Sequence, residues 1–188
     1  MIMRVPITIF DSHIHLSQIH AEQLFGKWYN FKIKKKCIQP RGYITQETLI
    51  FKWDNWQIEN IQIILPFRKN TQVELFDSDK EILWLDIPEK FSNEFEWTAK
   101  WTLIWPIGSV YLKQGVIIAR PHIHLSVAQS KDFWFRNNQI VSVKTHWTKI
   151  YEFENVKIRA KDYFEFDFHV NKEQAKLSWI QDWDRGEI

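Results

Sequence analysis

Apolar and polar residues alternate with a period of two along most of this chain, as in strands with one face toward a core and the other toward water. The clearest stretch is Glu94–Trp105, where Phe95, Trp97, Ala99, Trp101, Leu103 and Trp105 share one face and Glu94, Glu96, Thr98, Lys100 and Thr102 the other. Residues 155–170 repeat the pattern, with Val156, Ile158, Ala160, Phe164, Phe166, Phe168 and Val170 in phase and Asp162 the one break in the row. Further strands are predicted over 28–38, 43–53, 56–65, 72–77, 81–87, 109–112, 116–120, 122–127, 132–136 and 139–151. Within 56–65 the apolar parity switches at Glu59-Asn60, as a bulge would make it do. One helix is predicted over 18–25, with Ser17 as its cap and Gly26 as its terminator. The tail 171–188 fits either a return strand around Leu177, Trp179 and Trp183 or a short helix using Leu177, Ile180 and Trp183.

About ten strands with short turns and a single early helix imply an all-β antiparallel meander. Long strands suit a sheet that closes on itself, so the expected architecture is a barrel of about 8–10 strands, with a two-sheet sandwich as the alternative. The 188 residues fit one domain, 1–25 forming a strand and helix lead-in and 26–188 the barrel. No internal repeat is visible in the strand pattern.

Eleven Trp and fourteen Phe either fill the core or line a cavity for an apolar ligand. A net charge of +2 lacks the electrostatic footprint of a nucleic-acid binder. The basic run of Lys32, Lys34, Lys35 and Lys36 reads as a solvated strand end. Cys37 is the only cysteine, which excludes an internal disulfide and a cysteine-built zinc site. The start, MIMRVPITIF, lacks signal-peptide features. No run approaches the ~18 apolar residues of a membrane span, and a cytoplasmic protein is expected.

The order of helical lead-in, Phe25-Gly26-Lys27-Trp28-Tyr29 and a long run of strands resembles the lipocalin or calycin superfamily, including the phycobiliprotein-lyase-like barrels of cyanobacteria. Phe133-Trp134-Phe135-Arg136, a turn and Val141-Ser142-Val143-Lys144 are similar to the late hairpin of those lyases. The resemblance implies a calycin-like barrel around a hydrophobic or aromatic small molecule such as a pigment or isoprenoid.

In such a barrel the informative residues are polar ones in an apolar phase. Glu47 shares its phase with Leu49, Phe51 and Trp53, and Asp162 with Ile158, Ala160 and Phe164. A carboxylate there is paired, protonated or near the mouth, because an isolated buried charge is too costly. The expected ligand contacts are Trp97, Trp101 and Trp147 as walls, with Glu47 and Asp162 orienting the ligand. The same carboxylates would serve a barrel enzyme of cyclisation, isomerisation or chromophore attachment.

A second constellation is the recurrence of His-Ile-His-Leu-Ser at His13, Ile14, His15, Leu16 and Ser17 and at His122, Ile123, His124, Leu125 and Ser126. On a strand, His at i and i+2 project from one face and can present two metal ligands together. Two half-exposed strands with Ile and Leu inward and His in water are the plainer account. Asp11-Ser12-His13-Ile14-His15 is also similar to the Asp-x-His-x-His strand of TIM-barrel hydrolases, but the run of strands here lacks the alternating helices of that fold. Cys37 beside its lysines would be a nucleophile only with a lowered pKa. An interaction subunit, with exposed aromatics meeting another protein, completes the alternatives.

Overall fold

The computed structural model describes residues 2–53, 56–105, 107–146 and 150–188, and all structural statements refer to these. The first part of the chain forms β1 (Arg4–Phe10), β2 (His13–His15), α1 (Gln18–Phe25), β3 (Ile33–Lys36), β4 (Tyr43–Trp53), β5 (Trp56–Leu65), β6 (Gln72–Leu75), α2 (Ser78–Leu83), β7 (Glu89–Lys90) and β8 (Ala99–Trp105). The second part forms β9 (Gly108–Ala119), β10 (His122–Leu125), α3 (Val127–Asp132), β11 (Ile140–His146), β12 (Ile150–Ala160), β13 (Asp167–Asn171), α4 (Lys172–Ser178) and β14 (Arg185–Glu187).

The all-β barrel class expected from alternation is the class observed. The strands close into two rings, however, where one meander was expected. One ring runs β1-β13-β10-β12-β11-β14. The other runs β2-β5-β4-β8-β9-β6, with β3 beside β4 and β7 beside β9. The chain divides accordingly into two compact units, one of residues 1–10, 38–40 and 120–188, the other of residues 11–37 and 41–119.

The two rings follow one plan. β2 runs parallel to β5 and antiparallel to β6, as β10 runs parallel to β12 and antiparallel to β13. β9 runs parallel to β6 and antiparallel to β8, as β1 runs parallel to β13 and antiparallel to β14. The chain is therefore a structural repeat, β1 to β8 and then β9 to β14, in which the leading strands are exchanged: β1 completes the ring of the second repeat and β9 that of the first. This corrects the expectation that the chain has no internal repeat. Pairing order is conserved between the halves while nearly all side chains differ, so alternation alone cannot reveal it.

Each ring has its own core. Leu16, Leu24, Phe51, Ile63 and Trp101 are buried together in one, and Ile7, Ile123, Phe153, Ile158 and Phe168 in the other. Ser17 caps α1 by accepting from the His20 N–H, and Gly26, at φ 92°, ends it. The expected bulge in β5 is present: Leu49 pairs with Ile61 and Phe51 with Ile58, and Asn60 stands at φ 61°. Elsewhere short helices replace expected strands. Ser126 and Gln129 form a reciprocal capping box that starts α3 before residues 132–136 can extend. Asn171 and Gln174 do the same for α4, which settles the tail as helix followed by the short strand β14.

Candidate functional site

Period two sends Ile14 and Ile123 into the two cores and turns the flanking histidines to the opposite face. That face is not in water. His13, His15, His122 and His124 are all buried, and a further strand runs alongside each pair. Antiparallel register brings Glu74 of β6 opposite His13 and Gln72 opposite His15. The same register brings His169 of β13 opposite His122 and Asp167 opposite His124. Each half thus adds a third donor at the same place, Glu74 in one and His169 in the other.

The donor atoms of His13, His15 and Glu74 lie within 4.8 Å of one another, as do those of His122, His124 and His169. Two histidines with a carboxylate, and three histidines, are both donor sets that suit zinc-class cations. The first histidine of each pair is oriented identically. His13 Nδ1 donates to the Asp11 carbonyl at 2.8 Å and His122 Nδ1 to the Arg120 carbonyl at 3.0 Å. A carbonyl only accepts, so each ring carries a proton on Nδ1, which in the neutral imidazole leaves Nε2 as the lone-pair nitrogen.

The surroundings of the two sets differ. Arg68 Nη2 donates to His15 Nε2 at 2.6 Å, and Arg68 Nη1 lies 3.9 Å from Glu74 Oε1 and donates to Ser92 Oγ at 3.0 Å. His13 Nε2 is 3.5 Å from Glu74 Oε2. In the other half Asp167 is fully buried, accepts from Thr8 Oγ1 at 2.9 Å and lies 2.6 Å from His169 Nε2. His124 packs against Phe164 and His169, with ring centroids 4.0 and 4.4 Å apart.

Of the residues expected to contact a ligand, Trp97, Trp101 and Glu47 have different settings within one unit, and Asp162 belongs to the other. Trp101 is buried and stacks flat on Phe51 at 4.0 Å, filling its barrel. Trp97 is 90% exposed at φ 58° in the turn before β8. Trp147 lies outside the described residues. Glu47 is buried but satisfied, accepting from Tyr29 Oη and the Lys32 N–H. Asp162 is exposed in the turn between β12 and β13. Burial pushes the Cys37 thiol up, partly opposed by Lys35, which is the reverse of what a reactive thiolate needs.

Sequence reasoning missed Glu74, His169, Asp167 and Arg68. The accessible signal was the four-residue pattern that follows each histidine pair and its hairpin: Gln72-Val73-Glu74-Leu75 and Asp167-Phe168-His169-Val170 alternate polar and apolar in the same phase.

The likeness to lipocalins and phycobiliprotein lyases does not survive. Trp28 stands exposed at φ 67° outside any strand, so Gly26-Lys27-Trp28 opens no barrel strand. A model of the phosphate propanoyltransferase family matches residues 6–181. A phosphate propanoyltransferase of Lachnoclostridium phytofermentans is 34% identical over 177 residues, covering 94% of this chain and 83% of that protein. Its namesake in Thermotoga maritima is 31% identical over 181 residues, covering 96% of this chain and 86% of that protein. These similarities overturn the reading as a binder of a hydrophobic small molecule, and with it the cyclisation, isomerisation and chromophore-attachment alternative. By the extent of both matches, the chain belongs to the phosphate propanoyltransferase family.

Proposed function

We propose that this protein transfers a short acyl group between a thioester and inorganic phosphate, with a divalent cation held at each buried donor set. The observation that carries the reading is Arg68, a guanidinium whose side chain is 28% exposed and which touches both His15 and Glu74. Anion recognition and cation binding meet there. The name of its relatives supports phosphate as one substrate and a propanoyl group as the acyl class. A thioester donor follows from group-transfer chemistry, since an acyl phosphate is a mixed anhydride and forms reversibly only from a comparably activated acyl group.

In the forward direction a phosphate oxygen adds to the thioester carbonyl carbon. The C–S bond then breaks, the sulfur leaves as thiolate and takes up a proton, and the acyl phosphate remains. His13, His15 and Glu74, and separately His122, His124 and His169, are the residues that would hold the cations. A bound zinc-class cation supplies Lewis-acid polarisation of a carbonyl or phosphoryl oxygen. Arg68 offers a planar fork matched to two phosphate oxygens, and Ser92 Oγ holds that fork in orientation. A reducing, cytoplasmic setting suits a reaction that releases a free thiol, and suits the lone Cys37.

The test is phosphate-dependent loss of thioester absorbance with zinc-loaded protein and propanoyl-coenzyme A. Turnover is expected, and Arg68→Lys should cost about 10–100-fold in kcat/KM for phosphate, because a charge-assisted contact of ~1.5–3 kcal/mol is lost. No turnover with propanoyl, acetyl or butanoyl thioesters would overturn the reading.

A further inference from the structure

We propose that Asp167 is a positioning residue for the His122, His124 and His169 set, fixing His169 and supplying the negative charge that three imidazoles lack. The proposal rests on the reading of that set as a cation site. A fully buried carboxylate is costly unless its oxygens are engaged. Asp167 accepts from Thr8 Oγ1 on one oxygen, and its other oxygen lies 2.6 Å from His169 Nε2, close enough for charge contact though not aligned as a hydrogen bond. Asp167 and His169 stand two apart on β13 and so share a face. The carboxylate therefore limits the rotation of the His169 ring and places a negative charge beside it. Thr8, which pairs with His169 across β1 and β13, anchors the carboxylate in turn.

The other half explains why an aspartate stands here. Gln72 occupies the equivalent position, opposite the second histidine of the pair. It is equally buried, but it is occupied elsewhere, accepting from the Asn93 N–H and donating to the Glu94 carbonyl. In that half the carboxylate is Glu74, a donor itself. The repeat strand thus carries one carboxylate in each half, once as a direct donor and once a step behind a histidine.

The experiment is zinc affinity by chelator competition in a His13→Ala background, which leaves the three-histidine set as the measured site. Asp167→Asn should weaken zinc by about 10–100-fold, Thr8→Val by less, and Asp167→Glu should recover part of the loss. The absorption spectrum of bound cobalt should shift in Asp167→Asn, a change that a merely structural role would not produce. Thermal unfolding of the metal-free variants separates misfolding from lost affinity. Unchanged zinc affinity and cobalt spectrum in Asp167→Asn and Thr8→Val would overturn the proposal, whereas absence of zinc from the unaltered protein would overturn the cation reading itself.

An independent observation concerns the tryptophans. Six of the ten described tryptophans have left-handed backbone: Trp28, Trp84, Trp97, Trp134, Trp179 and Trp183, with φ between 52° and 75°. Only a few per cent of non-glycine residues adopt positive φ, and for bulky ones it is an outlier. All six are exposed, by 61% to 94%. Their places are glycine places. Gly26 ends α1, while Trp84 and Trp179 are the left-handed caps of α2 and α4, and Trp134 follows α3. Five glycines in 188 residues is also low, since an ordinary share of ~7% would give roughly a dozen.

We infer that these six positions are glycine in the protein its native host makes, the codon UGA being read there as glycine and not as tryptophan. Trp101, buried and stacked on Phe51, is by contrast a true tryptophan. Tandem mass spectrometry of the native protein tests this directly. Peptides spanning positions 84, 97 and 179 should carry glycine while position 101 carries tryptophan; tryptophan at all of them would overturn the inference. In recombinant protein, Trp84→Gly with Trp179→Gly should raise the unfolding midpoint by several degrees, and a lower midpoint would count against it.

Discussion

In the barrel that contains β2, register sets Glu74 opposite His13; in the barrel that contains β10, the same register sets His169 opposite His122. Both first histidines are oriented by the carbonyl two residues earlier, so the backbone supplies the common part of the two sites. What differs is the setting of the charges. One half pairs its carboxylate donor with the Arg68 guanidinium, and the other keeps Asp167 beside a histidine donor. The contrast teaches that a repeated scaffold can preserve donor positions while changing the charges set around them.

The largest expected effect comes from breaking the two sites separately. His15→Ala and His124→Ala should each remove zinc from their own half, halve the zinc per chain, and lower turnover by about 10³-fold. Elemental analysis and thioester assays of the two variants check this, and equal loss of zinc from both halves in either variant would contradict independent sites.

A smaller effect is expected at the helices that follow the histidine pairs. Ser126 takes part in a full capping box with Gln129, whereas Ser17 makes a single cap bond and gives its own N–H to Thr71 Oγ1. Ser126→Ala should therefore cost more than Ser17→Ala, each on the scale of ~1 kcal/mol in denaturant unfolding.

The smallest concerns pH. Partial burial lowers the pKa of His20 below its ordinary 6.5. The unfolded chain then binds a proton that the folded chain resists, so stability from this group is full above 6.5 and declines as pH falls toward the folded value. Counting on from the histidine pairs, Gln129 stands where His20 does. His20→Gln should make the two helix starts alike and flatten the acid side of the stability profile; an unchanged slope between pH 5 and ~6.5 would refute it.

Much of this was legible in the chain. Alternation identified β4 and β5 to the residue, parity located the bulge at Asn60, and Ser17 with Gly26 bounded α1. The histidine pairs were legible as strands. Their third donors were not, because these depend on which strand lies alongside, and register between Glu74 and His13 spans sixty-one positions of chain (74 minus 13). Helices α2 and α3 were hidden, and α4 was left open against a strand, for a local reason. Trp84, Trp134 and Trp179 occupy the terminator positions that glycine would have marked, and bulky aromatics there read as strand.

The exchange of leading strands also sets a timetable for synthesis. Residues 11–37 and 41–119 contain every strand of one ring, which can close as soon as β9 has been made. β1, with its apolar Val5, Ile7 and Ile9, pairs only with β13 and β14, so Arg4 must wait for Glu187. Until β13 and β14 have been made, β1 is an unpaired edge, exposed to whatever else offers one. A chaperone that shields unpaired strands during synthesis would act on this protein through β1.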